Sequence, residues 1–142
     1  MKVKFDENIS TRIVQAIRAL ESDRKIEIGS VLQDYGEGKA DSEWMFRFRD
    51  DGGAAMISGD HNLLQNPVNL AAYTASGLIS IWPPPGFPEL KRFGQAAFLV
   101  RWWPLIKAKI TASTAGSRWR IPLTWTPGLE KFTELRDPRT DR

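Results

Sequence analysis

Residues 54–60 read Ala-Ala-Met-Ile-Ser-Gly-Asp, and this stretch gives the clearest indication of the fold. The run Ala54–Ser58 is almost wholly apolar, which predicts a strand buried on both faces of a parallel sheet. A second short strand is predicted over Lys2–Phe5, directly before Asp6. Each of these two strands is thus followed within two residues by an aspartate, Asp6 or Asp60.

Working outward from this strand, strands and helices alternate along the chain. Further strands are predicted over Lys25–Ile28, Leu78–Trp82 and Arg118–Ile121, with a loop over Asp34–Lys39. Helices are predicted over Thr11–Glu21, Ser42–Asp50, Val68–Ser76 and Glu89–Ala112, the last kinked at Pro104. This alternation indicates an α/β fold with three layers, in which helices flank a central, mainly parallel sheet of four to five strands. Right-handed crossovers place strand 1 between strands 2 and 3.

The length of 142 residues predicts one domain over residues 1–125, followed by a charged tail over 126–142. A short helix is predicted in this tail at Leu129–Leu135.

The composition excludes several kinds of protein. The absence of cysteine rules out disulfides and thiol catalysis, and a single histidine, His61, rules out a zinc site of several histidines. No run of 18 apolar residues is present, so we expect no transmembrane helix, and the first residues lack the apolar core of a signal peptide. We therefore expect a cytoplasmic protein without a membrane partner, in which any metal is held by oxygen.

The two strand-end aspartates predict a metal site. In an open parallel sheet, ligands bind beyond the carboxyl ends of the strands, at the switch point between strands 1 and 3. Asp6 and Asp60 would repel each other there unless a cation such as Mg²⁺ or Mn²⁺ lay between them. Glu43, in the first turn of the predicted helix over Ser42–Asp50, can face the same edge, whereas Asp41 is explained by capping that helix.

Two short motifs carry a family resemblance. Asp6-Glu7-Asn8 closes the first strand, and Ser58-Gly59-Asp60-His61-Asn62-Leu63 follows the buried strand. Together they resemble the compact PIN-like nuclease domains of bacterial toxin–antitoxin modules, the VapC type in its short Asp-Glu-Asn branch. The resemblance covers about residues 1–82 and implies a PIN-like fold.

The resemblance implies a metal-dependent endoribonuclease toxin that binds RNA and a cognate antitoxin, and that can form a homodimer. It implies that Asp6, Glu43 and Asp60 are catalytic and hold Mg²⁺ or Mn²⁺. Asn62 stands where the family usually has a fourth acid, and its amide oxygen can still act as a ligand. Asn8 and Ser58 could orient water or phosphate, although turn hydrogen bonding explains them at least as well. His61 could contact a phosphate, although solvation explains a single histidine in a polar loop better.

A basic segment predicts contact with a polyanion. Residues 88–120 hold seven basic side chains and one acidic one, a net charge of +6. The basic residues proposed to bind RNA are Lys91, Arg92, Arg101, Arg118 and Arg120. Helical spacing favours a core position for Trp102, whereas Trp103 is equally suited to the core and to stacking on a base.

Two other functions fit parts of the sequence. A receiver-type signalling domain also has acids after strand 1 and a phospho-accepting aspartate after strand 3, but it needs a Lys-Pro pair that this chain lacks. A catalytically inactive PIN-like module that only binds RNA or protein is suggested by the amide at Asn62.

Overall fold

The computed structural model describes residues 1–36, 41–59 and 67–136. The strands are β1 (Lys2–Phe5), β2 (Glu27–Ser30), β3 (Gly53–Ile57), β4 (Ile79–Trp82), β5 (Arg118–Arg120) and β6 (Thr133–Glu134). The helices are α1 (Thr11–Leu20), α2 (Val31–Tyr35), α3 (Asp41–Asp50), α4 (Pro67–Ser76) and α5 (Lys91–Ala112). Single 3₁₀ turns lie at Pro88–Leu90 and Leu129–Lys131.

The strands form one sheet in the order β2-β1-β3-β4-β5-β6. Strands β1 to β5 are parallel, and β6 is antiparallel to β5. The predicted α/β class, the parallel sheet and the position of the first strand between the second and third are confirmed. The predicted count of four to five strands is wrong, because the described residues contain a sixth strand.

Helices cover both faces of the sheet. On one face, α1 and α5 pack against alternate residues of the central strands, Val3 and Phe5 of β1 among them. On the other face, α3 and α4 cover Met56 of β3 and Trp82 of β4. The core therefore lies in two layers, and the site edge of the sheet lies where β1 and β3 end side by side.

The second strand begins at Glu27, later than predicted, because the burial of Ile28 in the core sets how the strand pairs with β1. Ile28 pairs with Val3 and is buried with it, so the strand continues through Gly29 to Ser30. A Cβ at Gly29 would lie 2.8 Å from Asp34 Oδ2 and 3.0 Å from Lys4 Nζ. Because Gly29 has no Cβ, the Lys4–Asp34 ion pair fits above β2. The strand does not end at this glycine.

Two local predictions are corrected. Val31–Tyr35 is a helix, where a loop was predicted from Asp34 onward, and residues 37–40 of that loop lie outside the described residues. The helix predicted at Leu129–Leu135 is a 3₁₀ turn followed by β6. Phe132 is buried against the core and Leu135 N–H donates to the Arg118 carbonyl, so an edge pairing replaces helical hydrogen bonding there.

Within the described part of the chain, no helix combines the length and the apolar character needed to cross a membrane.

Candidate active site

Asp6 lies at the carboxyl end of β1, beside the end of β3. Its backbone N–H donates to the Ile57 carbonyl at 3.0 Å, which extends the pairing of β1 and β3 by one residue. The residue is only 6% exposed, unusually little for an aspartate. A carboxylate buried to this extent needs hydrogen-bond donors around it.

Three donors hold the Asp6 carboxylate. The backbone N–H groups of Asn8 and Gly59 donate to Oδ1 at 3.0 and 3.1 Å, and the Ser58 hydroxyl donates to Oδ2 at 2.6 Å. Hydrogen bonds to a carboxylate stabilise its ionised form and fix its orientation. Because two of the donors come from the segment after β3, Asp6 joins the ends of the two strands.

Gly59 lets the two strand ends approach closely. A Cβ at this position would lie 3.0 Å from Ile9 Cγ1 and 3.1 Å from the backbone oxygen of Asn8. Any larger residue would therefore push the segment after β3 away from the segment after β1. The motif needs glycine here for a packing reason.

The second half of the predicted site begins where the described residues stop. Asp60 follows Gly59 in the sequence, and Asp60, His61 and Asn62 all lie outside the described residues. Among the residues that the structure describes, no group of three or more His, Cys, Asp or Glu side chains is placed to hold a metal ion. The metal set of Asp6, Glu43, Asp60 and Asn62 therefore stays a prediction.

Glu43 is exposed on the first turn of α3. Together with Tyr35, Trp44 and Arg47 it lines a small cavity of about 100 Å³. Burial, followed by the charge of Asp51, raises the pKa of the Tyr35 phenol above its ordinary value of 10.0, so Tyr35 is neutral near pH 7. The side chain of Asp41, the predicted helix cap, lies outside the described residues.

The two residues near Asp6 that were predicted to contact phosphate differ in their exposure. Ser58 is 1% exposed, and its hydroxyl bonds Asp6, so it positions the carboxylate instead of facing a substrate. Asn8 contributes its backbone N–H to Asp6 and is itself exposed at the site edge.

The basic segment divides into structural and exposed cations. Arg118 is 5% exposed, and it donates through Nε to the Leu135 carbonyl at 3.0 Å and through a terminal nitrogen to the Thr74 hydroxyl. Arg118 therefore links β5 to its neighbours, which is a correction to its predicted contact with RNA. Arg120, also on β5, is partly buried. Lys91, Arg92 and Arg101 are exposed on α5.

Both tryptophans of α5 are buried. Trp102 is 2% exposed, as its helical spacing predicted, and Trp103 is 5% exposed. The indole N–H of Trp103 donates to Glu21 Oε1 at 2.9 Å, and Lys107 Nζ donates to the same oxygen at 2.8 Å. Chiefly because of the Lys107 and Trp103 hydrogen bonds, the pKa of the Glu21 carboxyl falls from 4.5 to about 2.

Sequence reasoning missed two exposed aromatic residues near these cations. Phe93 is 89% exposed on α5, and Trp125 is 37% exposed after β5. The alternation of buried and exposed positions along α5 could have identified Phe93, because it lies opposite the stripe of Leu99, Trp102 and Ile106.

Comparison with known proteins gives one match. The model of the PIN-like domain family matches residues 1–84, more than half of the chain. Neither the curated proteins nor the solved structures contain a match.

Proposed function

This chain belongs to the PIN-like domain family, and from this premise we propose that it is a metal-dependent endoribonuclease that hydrolyses RNA phosphodiester bonds. We further propose that it acts as the toxin of a toxin–antitoxin pair and is blocked by a cognate antitoxin. The match extends from β1 to just beyond β4 and so includes both strand-end motifs.

One observation carries the proposal. The carboxylate of Asp6 is buried at the carboxyl end of the central strand and accepts hydrogen bonds from the Asn8 and Gly59 backbone N–H groups and the Ser58 hydroxyl. Two of these donors belong to the segment that leads to Asp60. A buried, pre-oriented carboxylate at a strand switch point is typical of a site that binds a ligand.

The donor chemistry suits Mg²⁺ or Mn²⁺. Asp6 presents carboxylate oxygen, and the other proposed ligands, Glu43, Asp60 and Asn62, also offer only oxygen, which these ions prefer. When bound, such an ion supplies Lewis-acid chemistry at a phosphoryl oxygen.

Three residues of the chain hold the site in place. Asp6 supplies negative charge at a fixed place, Ser58 and Gly59 prevent its rotation, and the close packing at Gly59 keeps the segment after β3 against β1. Positioning of this kind accounts for much of what a protein contributes when a phosphodiester is cleaved without a covalent intermediate.

The decisive experiment measures RNA cleavage with and without Mn²⁺. We expect a structured RNA to be cut by the full chain in Mn²⁺, not in excess chelator, and not by Asp6→Asn. Asp50→Asn is the matched control, because Asp50 is exposed at the far end of α3. Equal cleavage by folded Asp6→Asn would refute the assignment of the site.

The toxin role has a separate test. Expression of the wild-type chain should arrest bacterial growth, and Asp6→Asn should relieve the arrest. Coexpression with the product of the adjacent gene should also relieve it if that gene encodes the antitoxin. Growth arrest that persists in Asp6→Asn would argue against a nuclease toxin even if cleavage is seen in vitro.

The same assays separate the alternatives. An inactive binding module, which the amide at Asn62 favours, would bind RNA without cutting it at any Mn²⁺ concentration. A receiver domain would instead be labelled by a small phosphodonor, but β5 is followed by Ile121-Pro122 without the lysine such a domain requires.

A further inference from the structure

We propose that Phe93, Arg101 and Trp125 form a platform, here called the α5 platform, that binds unpaired nucleotides of RNA outside the cleavage site. The proposal rests on the proposed function, since the strand it binds is the one expected to be cut near Asp6. The three residues lie beyond residue 84, where the family match ends, so this surface belongs to the part of the chain that the match does not cover.

Apolar exposure is concentrated in the part of the chain that contains these residues. Among the described residues, four of the six exposed large hydrophobic side chains lie between residues 90 and 125, namely Leu90, Phe93, Leu123 and Trp125. Phe93, at 89% exposed, leaves almost its whole ring in water. A cluster of such side chains indicates a binding surface more strongly than scattered ones do.

Contacts with Trp102 and Arg101 hold the Trp125 ring in place. Its ring packs on Trp102 at 4.8 Å between centroids and 65° between planes, and Trp102 is itself buried in the core. The guanidinium carbon of Arg101 lies 4.5 Å from the centroid of the Trp125 ring. Unpaired bases stack both on aromatic rings and on guanidinium planes, so Arg101 and Trp125 together present a surface that suits a base.

Phe93 extends the platform along α5. Phe93, Ala97 and Arg101 are all exposed and follow one another at intervals of four residues. They therefore lie on one side of the helix, with Phe93 and Arg101 about 12 Å apart along its axis. This spacing leaves room for more than one nucleotide between the two ends of the platform.

The surrounding charge favours RNA over a protein partner. Between residues 88 and 125 the sequence holds seven basic residues and one acid, Glu89. Lys107 and Arg118 have protein partners, whereas Lys91, Arg92 and Arg101 are exposed. Cations next to aromatic rings bind single-stranded nucleic acid through phosphate and base at once.

The start of α5 lies at the same edge of the sheet as Asp6. Strand β4 ends where β1 and β3 end, and a short connection through Phe87 leads into α5. Phe87 is buried in the same cluster as Ile9, which follows Asp6 closely in the chain. A strand of RNA bound along α5 can therefore reach the candidate active site.

Binding to a fluorescent single-stranded 12-mer of uridine tests the platform without cleavage. The probe is measured by anisotropy with the full-length Asp6→Asn chain as the background. We expect Phe93→Ala to weaken binding by about five- to tenfold. Its matched control is Phe46→Ala, because Phe46 is 44% exposed on the opposite face of the sheet and should leave binding unchanged.

Two further variants separate stacking from a general apolar contact. Phe93→Trp should bind as tightly as the background protein, whereas Phe93→Leu should be as weak as Phe93→Ala. Arg101→Gln should weaken binding and lower the slope of log affinity against log salt by about 1. Arg24→Gln, a control on an exposed loop, should change neither the affinity nor the salt slope.

Each outcome bears on one proposal. Unchanged binding in both Phe93→Ala and Arg101→Gln would overturn the platform. Full affinity in Phe93→Leu would show that the contact at Phe93 is a general apolar contact and not base stacking. Cleavage that depends on Asp6 together with unchanged binding would leave the proposed function standing without the platform. Weaker binding without any cleavage would leave the platform standing without the nuclease.

Discussion

The fold contains two nearly buried carboxylates, Asp6 and Glu21, that are held in different ways. Helix α1 runs between them, so they lie near opposite edges of the sheet. Glu21 accepts hydrogen bonds from Lys107 and Trp103, and its side chain is 5% exposed. The donors that hold Asp6 include two backbone N–H groups and the Ser58 hydroxyl.

We expect a difference of this kind between a structural acid and a functional one. Lys107 cancels the charge of Glu21 inside the protein, so the pair links the end of α1 to α5. The two backbone N–H groups and the Ser58 hydroxyl orient the Asp6 carboxylate. We propose that the oriented Asp6 carboxylate serves the metal site, whereas Glu21 serves the packing of α1 on α5.

The largest expected effect is on the acid after β3. Asp60→Asn should reduce Mn²⁺-dependent RNA cleavage by at least about 100-fold, about 2.7 kcal/mol in activation free energy, because one metal-binding charge is lost. The unfolding midpoint should stay near that of the wild-type chain. Single-turnover cleavage and thermal unfolding measure the two effects, and wild-type cleavage by the folded variant would remove Asp60 from the site.

The opposite pattern is expected for Glu21→Gln. Loss of the charged hydrogen bonds should lower the free energy of unfolding by about 1.5–3 kcal/mol. Cleavage by the folded fraction should be unchanged, since Glu21 lies away from Asp6. Urea unfolding measures the stability, and a loss of cleavage without a loss of stability would invalidate the division between the two acids.

The pH dependence of the unfolding free energy gives a second test of the structural role of Glu21. The pKa of its carboxyl is lowered from 4.5 to about 2 on folding, so its contribution to stability is complete above about pH 4.5 and is lost as the pH falls towards 2. The difference in unfolding free energy between wild type and Glu21→Gln should therefore be constant near neutral pH and shrink below 4.5. A difference that grows in acid would contradict the assigned direction.

A smaller effect is expected at the junction of the two strand ends. Gly59→Ala places a Cβ 3.1 Å from the Asn8 carbonyl oxygen, so the two segments must separate by a few tenths of an ångström. We expect cleavage to fall by about tenfold, because small displacements of reacting groups are costly. Lower turnover with little change in substrate affinity is the expected result, whereas unchanged cleavage would show that this close approach does not position the site.

The smallest expected effect concerns Asn62. Asn62→Asp should lower the Mn²⁺ concentration for half-maximal cleavage by several-fold, since it adds a negative charge beside the proposed cation. Without metal the added repulsion should lower the melting temperature. A metal titration that does not shift would place Asn62 outside the metal site.

Much of the architecture could be predicted because apolar runs and turn residues act locally. The predicted boundaries of α1, α3 and α4 agree with the structure to within one residue. The sixth strand could not be predicted, because Thr133–Glu134 has too few residues to show a period and pairs only when β5 is beside it. Long-range pairing of this kind has no local pattern.

The candidate site could be predicted only in part. The position of Asp6 followed from where the first strand ends, but the role of Ser58 did not, since its hydroxyl finds Asp6 across 52 positions of sequence. Arg118 shows the reverse error: its charge suggested a surface role, but its backbone lies in an inner strand of the sheet. The composition of a segment gives its charge but does not show whether a charged side chain is buried or exposed.

The packing of α5 has a consequence for modularity. The family match ends at residue 84, but the α1 face of the sheet is closed by Leu99, Trp102, Trp103, Ile106 and Ile110 of α5. A chain cut at residue 84 would keep α1 on this face of the sheet but would expose the part of the face that α5 covers. The segment that the family model matches therefore depends on the rest of the chain for part of its hydrophobic interior.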